Sequence, residues 1–157
     1  MSAPLVLALA GCSSGGGASA GPTPSTTAST TPQQADAAVT SAGKTIQSAL
    51  QFYVAAVGGC AQKSSPVVCL ETADKSLGDK VHAYANLLAR HGPITVSKAN
   101  VSAALNSAQT LANSLEILGD AQPTQANYDQ VLNTYNINSA ITTLQGQVAT
   151  LNQSLKK

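Results

Sequence analysis

The chain has 157 residues, of which 43% are apolar, 10% are charged and only 3% are aromatic, and its formal net charge is +1. The few basic residues are scattered along the chain, which argues against nucleic acid or an anionic membrane surface as the main partner. The apolar residues are mostly Ala, Leu and Val, so we expect a core of small and aliphatic side chains.

An apolar run opens the chain and ends at a cysteine. Residues 5–10 have the apolarity of a secretory signal, and Leu9-Ala10-Gly11-Cys12 is a lipobox-like tetrapeptide. The run is too short to span a bilayer, which needs about 20 apolar residues. The pattern resembles the signal of bacterial lipoproteins, which implies that residues 1–11 are cleaved off and that Cys12 carries the lipid. Because no basic residue precedes the run, we expect the natural start to lie upstream of Met1.

The lipidated cysteine is followed by a segment built almost wholly of Ser, Gly, Ala, Thr, Pro and Gln. We take residues 12–34 as the acylated cysteine plus a flexible tether, because this composition buries too little apolar surface to offset its chain entropy. Two or more acyl chains on Cys12 would give stable attachment to a membrane. Residues 35–157 then form one domain of ordinary size.

Two segments at the start of this domain have helical periodicity. The first predicted helix runs from about Gln34 to Gly58, and its apolar stripe consists of Val39, Ile46, Leu50, Tyr53 and Val57, with Gly43 filling the missing position. The second begins after Ser65-Pro66, an N-cap with proline at the first helical position, and ends near His91. Its predicted stripe is Leu70, Ala73, Leu77, Val81, Tyr84 and Leu88.

Two further helical segments complete the chain. The third begins after a cap at Thr95 or Ser97 and stops at Gly119, and the fourth opens at Pro123-Thr124. The apolar residues of the fourth form two groups on opposite helix faces, one around Tyr128 and Tyr135 and the other from Ile137 onward. Either the helix breaks around Asn136-Ile137-Asn138, or its tyrosine face packs on something else. Short loops and these stripes predict an all-α fold, an antiparallel four-helix bundle with a kinked or broken last helix.

Cys60 and Cys69 flank the connection between the first two helices. In an exported protein, a pair of cysteines left over beside the lipidated one is most simply a disulfide. A redox role would favour a tighter Cys-X-X-Cys with a flanking base, and neither is present. We therefore expect an inter-helix disulfide.

The sequence contains little that indicates catalysis. His82 and His91 do not have a zinc-like spacing, and Asp79 near His82 is more typical of a solvated helix face than of a ligand pair. Glu116 and Asp120 form an acidic pair at helical spacing, and we interpret them as surface residues. No nucleophile elbow, phosphate-binding loop or dinucleotide fingerprint appears, so we expect no catalytic site, no metal and no cofactor.

The Ala/Thr-rich, lysine-poor composition is similar to that of cell-envelope lipoproteins of actinobacteria, mycobacteria among them. The resemblance implies a lipid-anchored protein on the outer face of the cytoplasmic membrane, which we expect to be a non-catalytic binding or accessory module. Alternatives are an accessory subunit of an integral membrane complex and a carrier of an apolar ligand between helices, which needs a cavity of about 300 Å³ or more. Exposed aromatic residues often mark interfaces, so the candidate contacts with a partner are Phe52, Tyr128, Val131, Leu132 and Tyr135.

Overall fold

The computed structural model describes residues 30–121, 124 and 126–156, and this part of the chain contains helices and no strands. The predicted signal, Cys12 and most of the predicted tether lie outside the described residues. The helices are α1 Pro32–Cys60, α2 Pro66–Arg90, α3 Lys98–Asp120, α4 Tyr128–Thr134 and α5 Ile137–Ser154. The all-helical prediction is confirmed, with five helices in the described residues because the last predicted segment is divided in two.

The start of α1 lies inside the segment that we assigned to the tether. Thr31 accepts a hydrogen bond from the backbone N–H of Gln34, and the Gln34 side chain accepts one from the backbone N–H of Thr31. This reciprocal arrangement is a capping box, and Pro32 at the first helical position is already in a helical φ. Thr-Pro-Gln-Gln is therefore a helix start that its low-complexity surroundings obscure.

The predicted break in the last helix is confirmed at Asn136. This residue has a φ of 54° and a ψ of 31°, the left-handed conformation that asparagine tolerates better than most side chains. A left-handed residue cannot continue a right-handed helix, so α4 ends and α5 begins with a new direction. The break allows both apolar faces of this segment to be buried in one core, since Tyr128, Leu132, Ile137 and Ile141 are all buried.

The packing places α2 beside both α1 and α3, and α5 beside α1, α3 and α4. The buried side chains are mostly Leu, Val, Ile and Ala, in agreement with the composition. The largest fully buried ones come from α1, α2, α3 and α5, and they include Leu50, Leu88, Leu111 and Leu144. No helix in the described residues is long and apolar enough to cross a membrane.

The predicted disulfide between Cys60 and Cys69 is confirmed, with a Cα–Cα distance of 5.5 Å. It joins the last residue of α1 to the first turn of α2. Farther from this end, Tyr53 of α1 hydrogen bonds Asp74 of α2. Because later residues of α1 pair with earlier residues of α2, the two helices run antiparallel.

Candidate functional site

The five candidate contact residues lie in different environments. Phe52 is 75% exposed, the most exposed of the large apolar side chains in the described residues. Val131 and Tyr135 are half-buried, whereas Tyr128 and Leu132 are buried in the chain's own core. The prediction that the tyrosine face is presented to a partner is therefore wrong for Tyr128 and Leu132, because the break at Asn136 turns them inward.

Tyr128 belongs to a buried polar cluster that the sequence analysis missed. The Oη of Tyr53 donates to Asp74 Oδ1 at 2.8 Å, and the Oη of Tyr128 lies 3.0 Å from Oδ1 and 3.2 Å from Oδ2. The two phenol oxygens are 3.5 Å apart. We call Tyr53, Asp74 and Tyr128 the carboxylate cluster, and it joins α1, α2 and α4.

Burial controls the protonation of this cluster. Desolvation raises the pKa of Asp74 above its ordinary value of 3.8, the two tyrosine hydrogen bonds lower it, and the negative charge of Glu71 raises it again. Burial and the neighbouring carboxylate hold the pKa values of Tyr53 and Tyr128 well above their usual 10, so both phenols remain hydrogen-bond donors. Each oxygen of Asp74 thus accepts from a neutral phenol, which compensates part of the cost of burying the carboxylate.

Asp74 follows Leu70 by four residues and precedes Leu77 by three, so the helical stripe of α2 passes through it. The predicted stripe contains Ala73 instead, yet Ala73 is only half-buried while Asp74 is 6% exposed. A carboxylate at a core position needs buried hydrogen-bond donors. An acidic residue on the apolar stripe of α2 was therefore the sequence feature from which a buried polar cluster could have been predicted. The tyrosine hydroxyls that supply them come from distant parts of the chain.

A groove runs along the outer seam between α1 and α2, and we call it the apolar groove. Its volume is about 560 Å³, within the range of small-molecule sites. The lining residues are Thr45, Ser48, Ala49, Phe52, Tyr53 and Ala56 of α1 with Ala73, Ser76, Leu77 and Lys80 of α2. Many of these side chains are small and leave part of the seam unfilled, and the exposed ring of Phe52 lies beside this space.

The carboxylate cluster positions one wall of this groove. Tyr53 is 4% exposed and contributes to the lining, while its hydroxyl is bonded to Asp74. Leu77, one turn after Asp74, is also buried and lines the same groove. The cluster therefore fixes the α1–α2 contact at the level where the groove is lined by aromatic side chains.

A second groove lies on the opposite side of α2, between α2 and α3, with a volume of about 490 Å³. It has a different chemistry, since its lining includes the carboxylates of Glu71, Asp74, Asp79 and Glu116 together with His82 and Lys75. The structure thus brings Asp79, His82 and Glu116 to one surface. In the described residues, no group of three or more His, Cys, Asp or Glu is arranged to hold a metal ion.

His91 and Asp120 lie at helix ends. His91 follows the last residue of α2, and its Nδ1 lies 2.6 Å from the carbonyl oxygen of Gly92. Asp120 is the exposed last residue of α3. The exposed position of Asp120 agrees with its interpretation as a surface residue.

No protein-family model matches this chain, and neither the curated proteins nor the solved structures include a significant match to it. The functional interpretation therefore depends on the chain's own residues.

Proposed function

We propose that the protein is a lipid-anchored module of the cell envelope that binds its ligand or partner without catalysis, in the apolar groove between α1 and α2. The observation that carries this proposal is the juxtaposition of an aromatic ring that is 75% exposed, that of Phe52, with an apolar groove of about 560 Å³. Aromatic residues, phenylalanine among them, are enriched at protein interfaces, and an exposed aromatic ring beside an apolar groove is typical of a contact surface.

The anchoring part of the proposal is supported by the lipobox-like tetrapeptide that ends at Cys12 and by the Ser/Gly/Thr/Pro segment after it. Acylation of Cys12 would place the helical domain on the outer face of the cytoplasmic membrane. The disulfide between Cys60 and Cys69 is consistent with an oxidising compartment outside the cytoplasm.

We further propose that α1, α2, α3 and α5 form an antiparallel four-helix bundle, with α4 as a short addition to α5. The contacts of α1 with α2 and α5, and of α3 with α2 and α5, support this arrangement. In such a bundle the α1–α2 seam is one of the outer grooves, accessible from solvent along its length.

Non-catalytic binding is supported by the state of the carboxylate cluster. Asp74 is the one strongly buried acid in the described residues, and both of its oxygens are engaged by tyrosine hydroxyls. A general base must reach a substrate proton, and this carboxylate is instead committed to holding three helices together.

The anchor and the groove are tested in one experiment on the full chain in its native membranes. A photoreactive phenylalanine replaces Phe52, the same substitution at Ile117 on α3 is the control, and a Cys12→Ser form reports the anchor. We expect an adduct from position 52 that position 117 does not produce, and we expect the Cys12→Ser form to leave the membrane fraction. Identical adducts from both positions, or none from position 52, would overturn the groove as the binding surface.

The alternative of an accessory subunit gives a different result in the same experiment. It predicts a stoichiometric integral membrane protein crosslinked to position 52 and lost in the Cys12→Ser form. A small-molecule adduct would identify a carrier of an apolar ligand instead. The volume of the apolar groove favours this alternative, because it exceeds the lower limit of about 300 Å³ for a drug-sized site.

A further inference from the structure

The apolar groove has one cationic end and one apolar end. Lys80 and Thr45 lie at one end, and Ala56 and Ala73 lie at the other, because α1 and α2 run antiparallel. At 1.5 Å per residue, the eleven steps from Thr45 to Ala56 span about 16 Å. A ligand that lies along this groove is therefore long and narrow, with different chemistry at its two ends.

The charge at the cationic end is not matched by a carboxylate of the groove. The Nζ of Lys80 donates to Ser76 Oγ at 3.1 Å, and none of the residues that line the groove is acidic. The carboxylates of this part of α2 lie instead on its other side, in the α2–α3 groove. The two grooves on either side of α2 thus differ in charge, and only the acidic one is suited to a cation.

Resting on the function proposed above, we infer that the apolar groove binds a single acyl chain that ends in an anionic group, a fatty acid, with its carboxylate at Lys80 and its methyl end toward Ala56. The small side chains of Ala49, Ala56 and Ala73 leave space for the methylene chain, and the ring of Phe52 lies beside it. The hydroxyl of Ser76, which accepts from Lys80 and keeps its own proton, supplies a further donor to a carboxylate. The hydroxyl of Thr45 already donates to the backbone carbonyl of Ser41.

A second copy of the chain fits this groove less well. An isologous dimer pairs a surface patch with the same patch of its partner, so it would bring one cationic groove to another and supply no carboxylate for Lys80. A fatty acid supplies that carboxylate and the apolar surface in one molecule.

The test is calorimetric titration of laurate into the full chain, carrying Cys12→Ser so that no attached acyl group competes. Dodecyltrimethylammonium, which has the same chain length and the opposite charge, is the ligand control. We expect laurate to bind with one-to-one stoichiometry and more tightly than the cation. Lys80→Gln should weaken laurate binding about threefold to fivefold, as expected for an exposed ion pair, and should not weaken binding of the cation.

Matched variants locate the site. Lys75→Gln removes a lysine from the same helix on the other groove and should leave laurate binding unchanged. Ser48→Trp fills the apolar groove from an exposed position and should abolish binding. The terminal methyl group of laurate should show intermolecular nuclear Overhauser effects to the methyl groups of Ala56 and Ala73.

The outcomes separate this inference from the function on which it rests. If laurate does not bind while position 52 still crosslinks a protein, the acyl ligand is wrong and the groove remains a binding surface for that protein. If laurate binds equally well to the Lys80→Gln chain, or with its methyl end at Lys80, the assigned orientation is wrong. If laurate does not bind and position 52 yields no adduct, both the ligand and the binding function are overturned.

Discussion

The carboxamide of Asn152 on α5 occupies the space that a side chain at Gly43 of α1 would fill. A Cβ built on Gly43 would lie 2.5 Å from Asn152 Oδ1 and 2.6 Å from Nδ2. Asn152 is 8% exposed, and its Oδ1 has no hydrogen-bond partner in the described residues. Gly43 is therefore what allows α1 and α5 to approach with this amide between them.

We expect Gly43→Ala to destabilise the protein, although the same change in a helix interior ordinarily stabilises by about 0.5–1 kcal/mol. The added methyl group overlaps the buried amide of Asn152, which must be displaced, and overpacking of this kind costs about 1–3 kcal/mol. Urea unfolding monitored by circular dichroism measures the difference.

The double variant tests whether Asn152 is the cause. With Asn152→Ala in place, the space opposite Gly43 is empty, so Gly43→Ala should then raise the free energy of unfolding. A destabilisation of the same size in both backgrounds would show that the overlap with Asn152 is not responsible.

Asp74 should make a contribution to the stability of the native chain that decreases as the pH rises. Burial raises the pKa of this carboxyl above its ordinary 3.8, so the folded state holds the proton more tightly than the unfolded state does. Its contribution is fully present below pH 3.8 and is lost as the pH rises through the raised pKa of the folded state. Unfolding midpoints of the native chain and of Asp74→Asn, measured across this range, isolate the effect.

The asparagine variant keeps an acceptor for the tyrosine hydroxyls and does not titrate. The stability of the native chain minus that of Asp74→Asn should therefore decrease as the pH rises, while all other carboxyl groups cancel in the difference. A difference that stays constant or increases with pH would contradict a raised pKa at Asp74.

Tyr128→Phe should destabilise the protein by about 1.5–3 kcal/mol, the usual range for a hydrogen bond to a charged group. The hydroxyl of Tyr128 lies within hydrogen-bond distance of both oxygens of Asp74, and its loss leaves one oxygen of a buried carboxylate without a donor. The matched control is Tyr135→Phe in the residue that follows α4, which is half-buried and outside the carboxylate cluster. Thermal unfolding of the two variants should show a large change for the first and little for the second, and equal changes would argue against the cluster.

Removal of the disulfide with Cys60→Ala and Cys69→Ala should lower the free energy of unfolding by about 2–3 kcal/mol, as the chain-entropy model predicts for a loop of this size. The helices should remain, since the core does not depend on the bridge for most of its apolar contacts. Unfolding of the native chain with and without a reducing agent provides an independent measurement. An unchanged midpoint in both comparisons would show that the bridge does not stabilise the fold.

Several features of the fold could be predicted because they depend on neighbours in sequence. Apolar residues spaced three and four apart specify a helix face, and the switch of faces in the last segment indicated either a break near Asn136 or a tyrosine face packed on something else. The structure shows the break. The start of α2 at Ser65-Pro66 follows from the same local stereochemistry. The pairing of Cys60 with Cys69 was predictable because the connection between them is short and no third cysteine lies nearby.

Which residue of a helix is most deeply buried was less predictable. The positions three and four residues after a buried residue are adjacent in sequence, and both lie near the apolar stripe. The predicted stripe of the second helix contains Ala73, whereas the structure buries its neighbour Asp74 more deeply. Which of two adjacent positions is buried depends on the rotation of the helix against its neighbours, and periodicity alone does not determine that rotation.

The sequence by itself determined the helical segments, the place where the last of them could break and the disulfide, since each depends on short-range stereochemistry or on a short loop. Only the tertiary structure decided which aromatic residues are exposed: Phe52 lies in solvent beside the apolar groove, and Tyr128 lies against Asp74 in the core. The contact between Tyr128 and Asp74 joins residues 54 positions apart. Contacts at such separations follow from how whole helices pack, and no local pattern in the chain encodes them.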